Sequence, residues 1–254
     1  MSYRYALWRL FLRTLATRTR GSLLGISWLF LEPFLLFLLY TFVFGFLLKV
    51  RFPEAASLGG FALYLLAGLV PYTAFQESVL KALPLLPAHR DLLVHTNFPA
   101  ALIPLAEVLA SLVSELIGLS ILLLLLALEG RFFPTWLLLP GVVSIRLMLS
   151  LGTALLAAVL YPFLRDLEQM VRMLLLALLF LTPILYPPSV VPEPFVSWQR
   201  LNPLFWLVEG YRAVLLEGRL PPLAFLPFAA AALGFLLLSH LFFRKAVERA
   251  KDFL

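Results

Sequence analysis

Five ionisable side chains interrupt otherwise apolar runs of this 254-residue chain: Glu32, Glu77, Glu107, Glu115 and Arg146. Charge is costly in hydrocarbon, so such residues face a bundle interior or water and pair with one another. Glu107, Ser111 and Glu115 step by four, which sets them on one helical face. Glu115 stands about 13 residues, and Arg146 about 10, from the same side of the membrane, so at ~1.5 Å per residue their depths differ by roughly 5 Å. This spacing predicts that Arg146 pairs with Glu115, or failing that with Glu107. The chemistry of such a pair is that of a buried clamp between two helices. A proton relay is the other use of such groups, and nothing else in the chain extends one. Glu32 precedes Pro33, whose missing N–H permits a kink, and lies one to two turns inside its run, within reach of water.

No catalytic, cofactor-binding or metal-ligating set is expected. Cysteine is absent, so there is no thiol nucleophile and no cysteine metal site. The phosphate-cradling G-x-x-x-x-G-K-[ST] loop, H-E-x-x-H and G-x-S-x-G are all missing. His89, His95 and His240 are scattered, and the first two are six residues apart, which is no metal spacing on a helix.

The elements that position these residues follow from composition. Hydrophobic residues make up 62% of the chain and charged residues 13%, with a mean hydropathy of +0.98. Soluble domains run at about 45–50% apolar and about 25% charged, so this composition belongs to an integral membrane protein. The expected fold is an all-α membrane protein with six transmembrane helices, at approximately 26–48, 61–80, 99–128, 136–160, 171–186 and 222–243. The fifth is short and ends in a proline-rich stretch. Unbroken apolar runs, rather than alternating strands of about ten residues, exclude a barrel. The whole of 1–254 reads as a single transmembrane domain.

Six spans put both termini on one side. That side carries thirteen basic residues, against six at Lys49, Arg51, Arg131, Arg200, Arg212 and Arg219 on the other. The excess predicts cytoplasmic termini, and it accounts for the net charge of +6 without nucleic acid. Residues 1–22 are expected to form a cytoplasmic amphipathic interface helix rather than a signal peptide. Trp8, Phe11, Leu12 and Leu15 recur at helical spacing among arginines. Residues 81–98 form a cytoplasmic segment. Residues 187–221, too apolar for a solvated loop, are expected to form re-entrant external helices between spans five and six, dipping into the membrane or capping a cavity. Trp28, Trp136, Trp198 and Trp206 fall near span boundaries, as an aromatic belt requires. Tyr40, Phe44, Tyr64, Tyr72 and Phe75 fall inside spans. They are packing or lipid-facing residues, or a ladder on which apolar sugar faces stack.

Specific strings resemble a family. RTRGSLLGISWLFLEPFLLFLLYTFVFGFLLKVRF, residues 18–52, is similar to the opening of the membrane subunit of ABC-type polysaccharide exporters, the O-antigen, capsule-like and teichoic-acid permeases of the type-2 ABC exporter superfamily. The matching residues are Arg20, Gly21, Ser22, Leu24, Gly25, Trp28, Pro33 and Tyr40–Phe44. LLAGLVPYTAFQESV resembles the second span, and LLVHTNFPAALIPLAEVL the coupling segment running into the third. YPFLRDLEQM, LTPILYPPSVVP and LNPLFWLVEGYRAVLLEG resemble the C-terminal half. The coupling segment departs slightly, with His95 and Thr96 where relatives often carry two basic residues.

The resemblance implies a homodimeric pore in the inner membrane of a bacterium, driven by two copies of a separate ATP-binding cassette subunit that holds the ATP and magnesium. Arg18, Arg20, Gly21, Ser22 and Gly25 would form a cytoplasmic entrance for the diphosphate of a lipid-linked glycan, since arginine suits phosphate oxygens. Trp28, Tyr40, Phe44, Tyr64, Tyr72 and Phe75 would line the sugar path. Arg90, Asp91 and His95 would meet the ATPase. Trp198, Asn202, Trp206, Tyr211 and Arg212 would belong to the external gate. The alternatives are a sister exporter of drugs or lipids, a membrane-embedded lipid-phosphate or glycosyl-transfer enzyme, and a purely structural subunit. The enzyme would need clustered acids or a metal set, and the external acids Glu54, Glu129, Glu193, Glu209 and Glu217 are scattered.

Overall fold

The computed structural model describes residues 3–19, 24–47, 49 and 58–253, so Arg20, Gly21 and Ser22 lie outside the described residues, as do the side chains of Glu32 and Pro33. The described residues are all-helical and contain no strand. α1 spans Tyr3–Thr19, and α2 spans Trp28–Tyr40 and widens into a π-helical stretch over Thr41–Leu47. α3 (Leu58–Ala82) is followed by two short helices, α4 (Leu85–Ala88) and α5 (Arg90–His95), and by α6 (Leu102–Leu128). A 3₁₀ turn at Pro134–Leu138 leads into α7 (Leu139–Leu160), then α8 (Leu167–Leu181), α9 (Phe195–Gln199), α10 (Pro203–Leu215) and α11 (Phe225–Lys251).

Among the described residues, three helical stretches are long and apolar enough to cross a bilayer: Leu102–Leu128, Pro134–Leu160 and Phe225–Lys251, each 27 residues. At ~1.5 Å per residue each reaches about 40 Å, more than the ~30 Å hydrocarbon thickness. α3 plays a different part. Almost every side chain from Phe61 to Phe75 is buried, because α3 packs against α6, α7 and α10 at once. A helix shielded on all sides can carry polar groups that lipid would reject, and α3 carries Tyr64, Tyr72, Ser78 and an interior Pro71. Beside the proline the Thr73 hydroxyl donates to the carbonyls of Leu69 and Val70 at 2.9 and 3.1 Å.

α7 and α11 run together closely. A Cβ at Gly152 would stand 2.7 Å from the Phe235 ring, so hydrogen is the only side chain the crossing admits undisturbed. A second, smaller core sits at the end of the bundle that bears the termini. There Leu86 and Leu93 meet Leu155, Phe243 and Val247, with Leu10 of α1 at its margin. This core pins α4 and α5 to the bundle.

Boundaries differ from the sequence expectation where local chemistry decides them. The fifth apolar helix begins at Leu167 instead of 171 and stops at Leu181 instead of 186. Thr182 is already extended (φ −88°, ψ 139°), the conformation favoured before a proline, here Pro183. α11 continues past 243 to Lys251, since Phe243, Val247 and Ala250 keep one face buried while the basic residues take the other. Segment 187–221 contains the two helices α9 and α10. α10 lies within the bundle, its Leu204, Leu207 and Tyr211 buried against α3 and α7.

Candidate functional site

The polar stripe of α6 organises two ionic clusters. In the first, Arg146 of α7 and Glu115 are in contact. The Arg146 Nε donates to Glu115 Oε2 at 3.0 Å, and Nη2 donates to the same oxygen. Nη1 reaches Ser111 Oγ at 3.1 Å and Ser150 Oγ at 3.4 Å. The Tyr211 hydroxyl of α10 donates to the other carboxylate oxygen, Glu115 Oε1. Arg146 and Tyr211 are 0% exposed and Glu115 is 1% exposed. Two charges removed from water repay desolvation only when their remaining lone pairs and protons are satisfied, and here every guanidinium nitrogen has an acceptor.

The second cluster lies about two turns along α6 and takes Arg18 from the end of α1. Arg18 Nη2 lies 2.5 Å from Glu107 Oε1. Its Nη1 lies 2.9 Å from Glu77 Oε1 and also reaches Ala110 O and Ser114 Oγ, at 3.1 and 3.0 Å. Lys81 Nζ adds a contact to Glu77 at 2.6 Å. The Arg18 side chain is 5% exposed. The Arg18 guanidinium, expected at the entrance, is paired in this structure with two carboxylates of its own chain. Gly25, at the start of the next helix, has φ +51°, a conformation in which glycine is the economical choice.

Two of the expected gate residues, Asn202 and Arg212, converge on the break after α8. Arg212 donates from Nη1 to Pro183 O at 2.5 Å and from Nη2 to Ile184 O at 2.9 Å, which satisfies carbonyls freed where the helix unwinds. Its guanidinium carbon sits 3.5 Å from the Tyr64 ring centre, within cation–π range. Gly68 makes room, since a Cβ there would stand 3.1 Å from Nη2. Asn202 caps α10, accepting from Leu204 N at 3.0 Å, and donates to Thr182 Oγ1 at 2.8 Å, so one side chain joins the end of α8 to the start of α10. Trp206 Nε1 donates to Arg200 O at 2.8 Å, while Trp198 stands exposed.

The aromatic residues divide. Tyr40 and Phe44 stack at 6.2 Å on the half-buried flank of α2, and Trp28 is exposed. Tyr64, Tyr72 and Phe75 are buried inside the chain. Tyr64 lies under Arg212, Tyr72 donates to Leu175 O, and Phe75 lines an apolar cavity of about 400 Å³ with Asn202, Phe228 and Phe235. On α5, Arg90, Asp91 and His95 lie on the outer surface while Leu93 anchors the helix. No group of three or more metal-ligating side chains occurs among the described residues.

The sequence of residues 5–216 matches the model of the ABC-2 type transporter family. The chain belongs to that family. It is 36% identical over 224 residues to the O-antigen export system permease protein RfbA of Myxococcus xanthus, covering 86% of this chain and 83% of that one. A Klebsiella pneumoniae protein of the same name is 27% identical over 208 residues, covering 81% and 78%. The polysialic acid transport protein KpsM of Escherichia coli is 26% identical over 215 residues, covering 82% and 80%.

The polar residues join helices to one another: Arg146 links α7 to α6, Arg18 links α1 to α6, and Asn202 links α10 to the end of α8. The link between Arg18 and Glu107 escaped the sequence reading, although the signal was present: Glu107 lies on the stripe with Glu115 and had no partner left once Arg146 was assigned. Thr182, which ties α8 to Asn202, carried no signal beyond its place next to a proline.

Proposed function

We propose that this chain is the pore-forming permease subunit of an ATP-driven exporter that moves a lipid-linked polysaccharide from the cytoplasmic to the external side of the inner membrane. The observation that carries this reading is the 36% identity to an O-antigen export permease across 86% of the chain. α2, α3, α6, α7, α8 and α11 are the six spans, with both termini cytoplasmic. Two copies form the pore, and the thin, largely exposed α8 supports placing it where the copies meet. A separate ATP-binding cassette subunit, also in two copies, docks on α5 through Arg90, Asp91 and His95, and near α1. The chain makes no bonds. It supplies a route, and ATP-driven closure of the partner moves the two halves.

Within that scheme the glycan diphosphate is met by Arg20 together with Gly21, Ser22 and Gly25, because Arg18 is already paired. Trp28, Tyr40 and Phe44 supply the ring surface available to sugars. Residues 187–221, held by Asn202 and Arg212, form the external gate. Arg20→Gln is expected to lower glycan export roughly tenfold, the worth of one charge-assisted hydrogen bond, without loss of complex assembly. Export in cells that lack their own permease, read beside co-purification with the ATP-binding subunit, measures this. Unchanged export would remove Arg20 from the entrance. Failure to co-purify with any such subunit would remove the exporter reading itself.

A further inference from the structure

Glu115 divides its two oxygens between different helices. Oε2 is taken by Arg146 of α7, and Oε1 receives the Tyr211 hydroxyl of α10. We propose that Tyr211 is the gate-positioning residue: its contact with Glu115 holds α10 closed, and breaking that contact is coupled to the arrival of water in the opening path. The proposal rests on the reading of α10 as part of the external gate.

The argument starts from burial. A carboxylate oxygen in a dry interior needs a donor, and leaving it bare costs more than the bond itself is worth. In this arrangement Arg146 presents Nε and Nη2 to Oε2 and Nη1 to Ser111 and Ser150, so Oε1 depends on the tyrosine hydroxyl. Withdrawal of α10 from α6 therefore strips Oε1 of its donor until another group replaces the hydroxyl. Water entering an opening pore is that donor. The closed state is dry and latched; the open state is wet and unlatched; a dry, unlatched state is disfavoured. α6 also carries the input side of the device. Eight residues from Glu115, about 12 Å along the helix, Glu107 is fastened to Arg18 of α1, and Glu77 of α3 joins the same guanidinium. A pull on α1 thus acts on the helix that holds the latch.

The test uses the complete exporter, permease with its ATP-binding subunit, reconstituted in liposomes loaded with a small fluorescent anion. Leak is recorded without ATP. Tyr211→Phe keeps the ring and removes only the hydroxyl, and is expected to raise the leak roughly tenfold or more with assembly and ATP hydrolysis retained. Glu115→Asp, which keeps the charge for Arg146 and withdraws from Tyr211, is expected to do the same. A leak equal to that of the unaltered complex in both variants would overturn the proposal. So would loss of assembly in both, which would make the contact structural only. Transport of a labelled lipid-linked glycan by the unaltered complex is scored separately. Its absence would count against the exporter reading and leave the leak comparison standing.

Discussion

Arg146→Met is expected to be the most damaging single substitution in the chain, costing about 3–5 kcal/mol, the range found when one partner of a buried ion pair is removed. The loss does not come from the missing attraction alone. Glu115 would remain, 1% exposed, with the Tyr211 hydroxyl as its remaining side-chain donor among the described residues. Domains are stable by only ~5–15 kcal/mol, so little purified, monodisperse protein should survive. Replacing the whole set tells the two contributions apart. Arg146→Met with Glu115→Leu and Tyr211→Phe removes both charges and the orphaned hydroxyl. It should recover most of the melting temperature, because apolar replacement of a complete buried pair is often neutral or stabilising. It should not recover a closed gate. A single variant that melts with the unaltered protein would show that Glu115 is not charged and paired as described.

Arg212→Leu is the second. It leaves the carbonyls of Pro183 and Ile184 without their donors at a break that has no helix to absorb them, at ~1–3 kcal/mol for each buried group. It also removes the cation from the face of Tyr64 and the neighbour of Glu209 at 3.7 Å. Lysine is no substitute, since a single ammonium cannot reproduce the planar fork that spans two carbonyls and stacks on a ring. Local opening should therefore appear first around 182–187. Backbone amide exchange there is expected to speed up well before the bundle melts. Unaltered exchange in Arg212→Leu would show that the break is held by its surroundings.

The helices were largely legible because apolar runs in a chain with 13% charge have few other fates. The Glu115–Arg146 contact was legible too, since depth within a span is arithmetic and charges in hydrocarbon have few partners. Depth arithmetic fails for Arg18. It lies on a helix whose docking is set by packing against α6, and its partner Glu107 is 89 positions away. The end of α8 was misjudged because apolar composition continues through 182–186 while the backbone does not: Pro183 turns Thr182 out of the helix. The aromatic residues were recognised as a class, but burial sorted them. Tyr64, Tyr72 and Phe75 stand on a helix enclosed by protein, and Trp28, Tyr40 and Phe44 on one that keeps a free flank. Periodicity does not separate those cases, because the stretches around these rings are predominantly apolar in both helices.

As proposed, this chain is the route for a lipid-linked polysaccharide and draws its energy from a separate subunit. The most direct measurement is made on liposomes containing the chain with its ATP-binding subunit and a radiolabelled lipid-linked glycan in the leaflet facing the ATP. The glycan is expected to become accessible to a glycosidase on the opposite side only when both subunits and hydrolysable ATP are present. Accessibility that appears without ATP, or that never appears although the complex assembles and hydrolyses ATP, would contradict it.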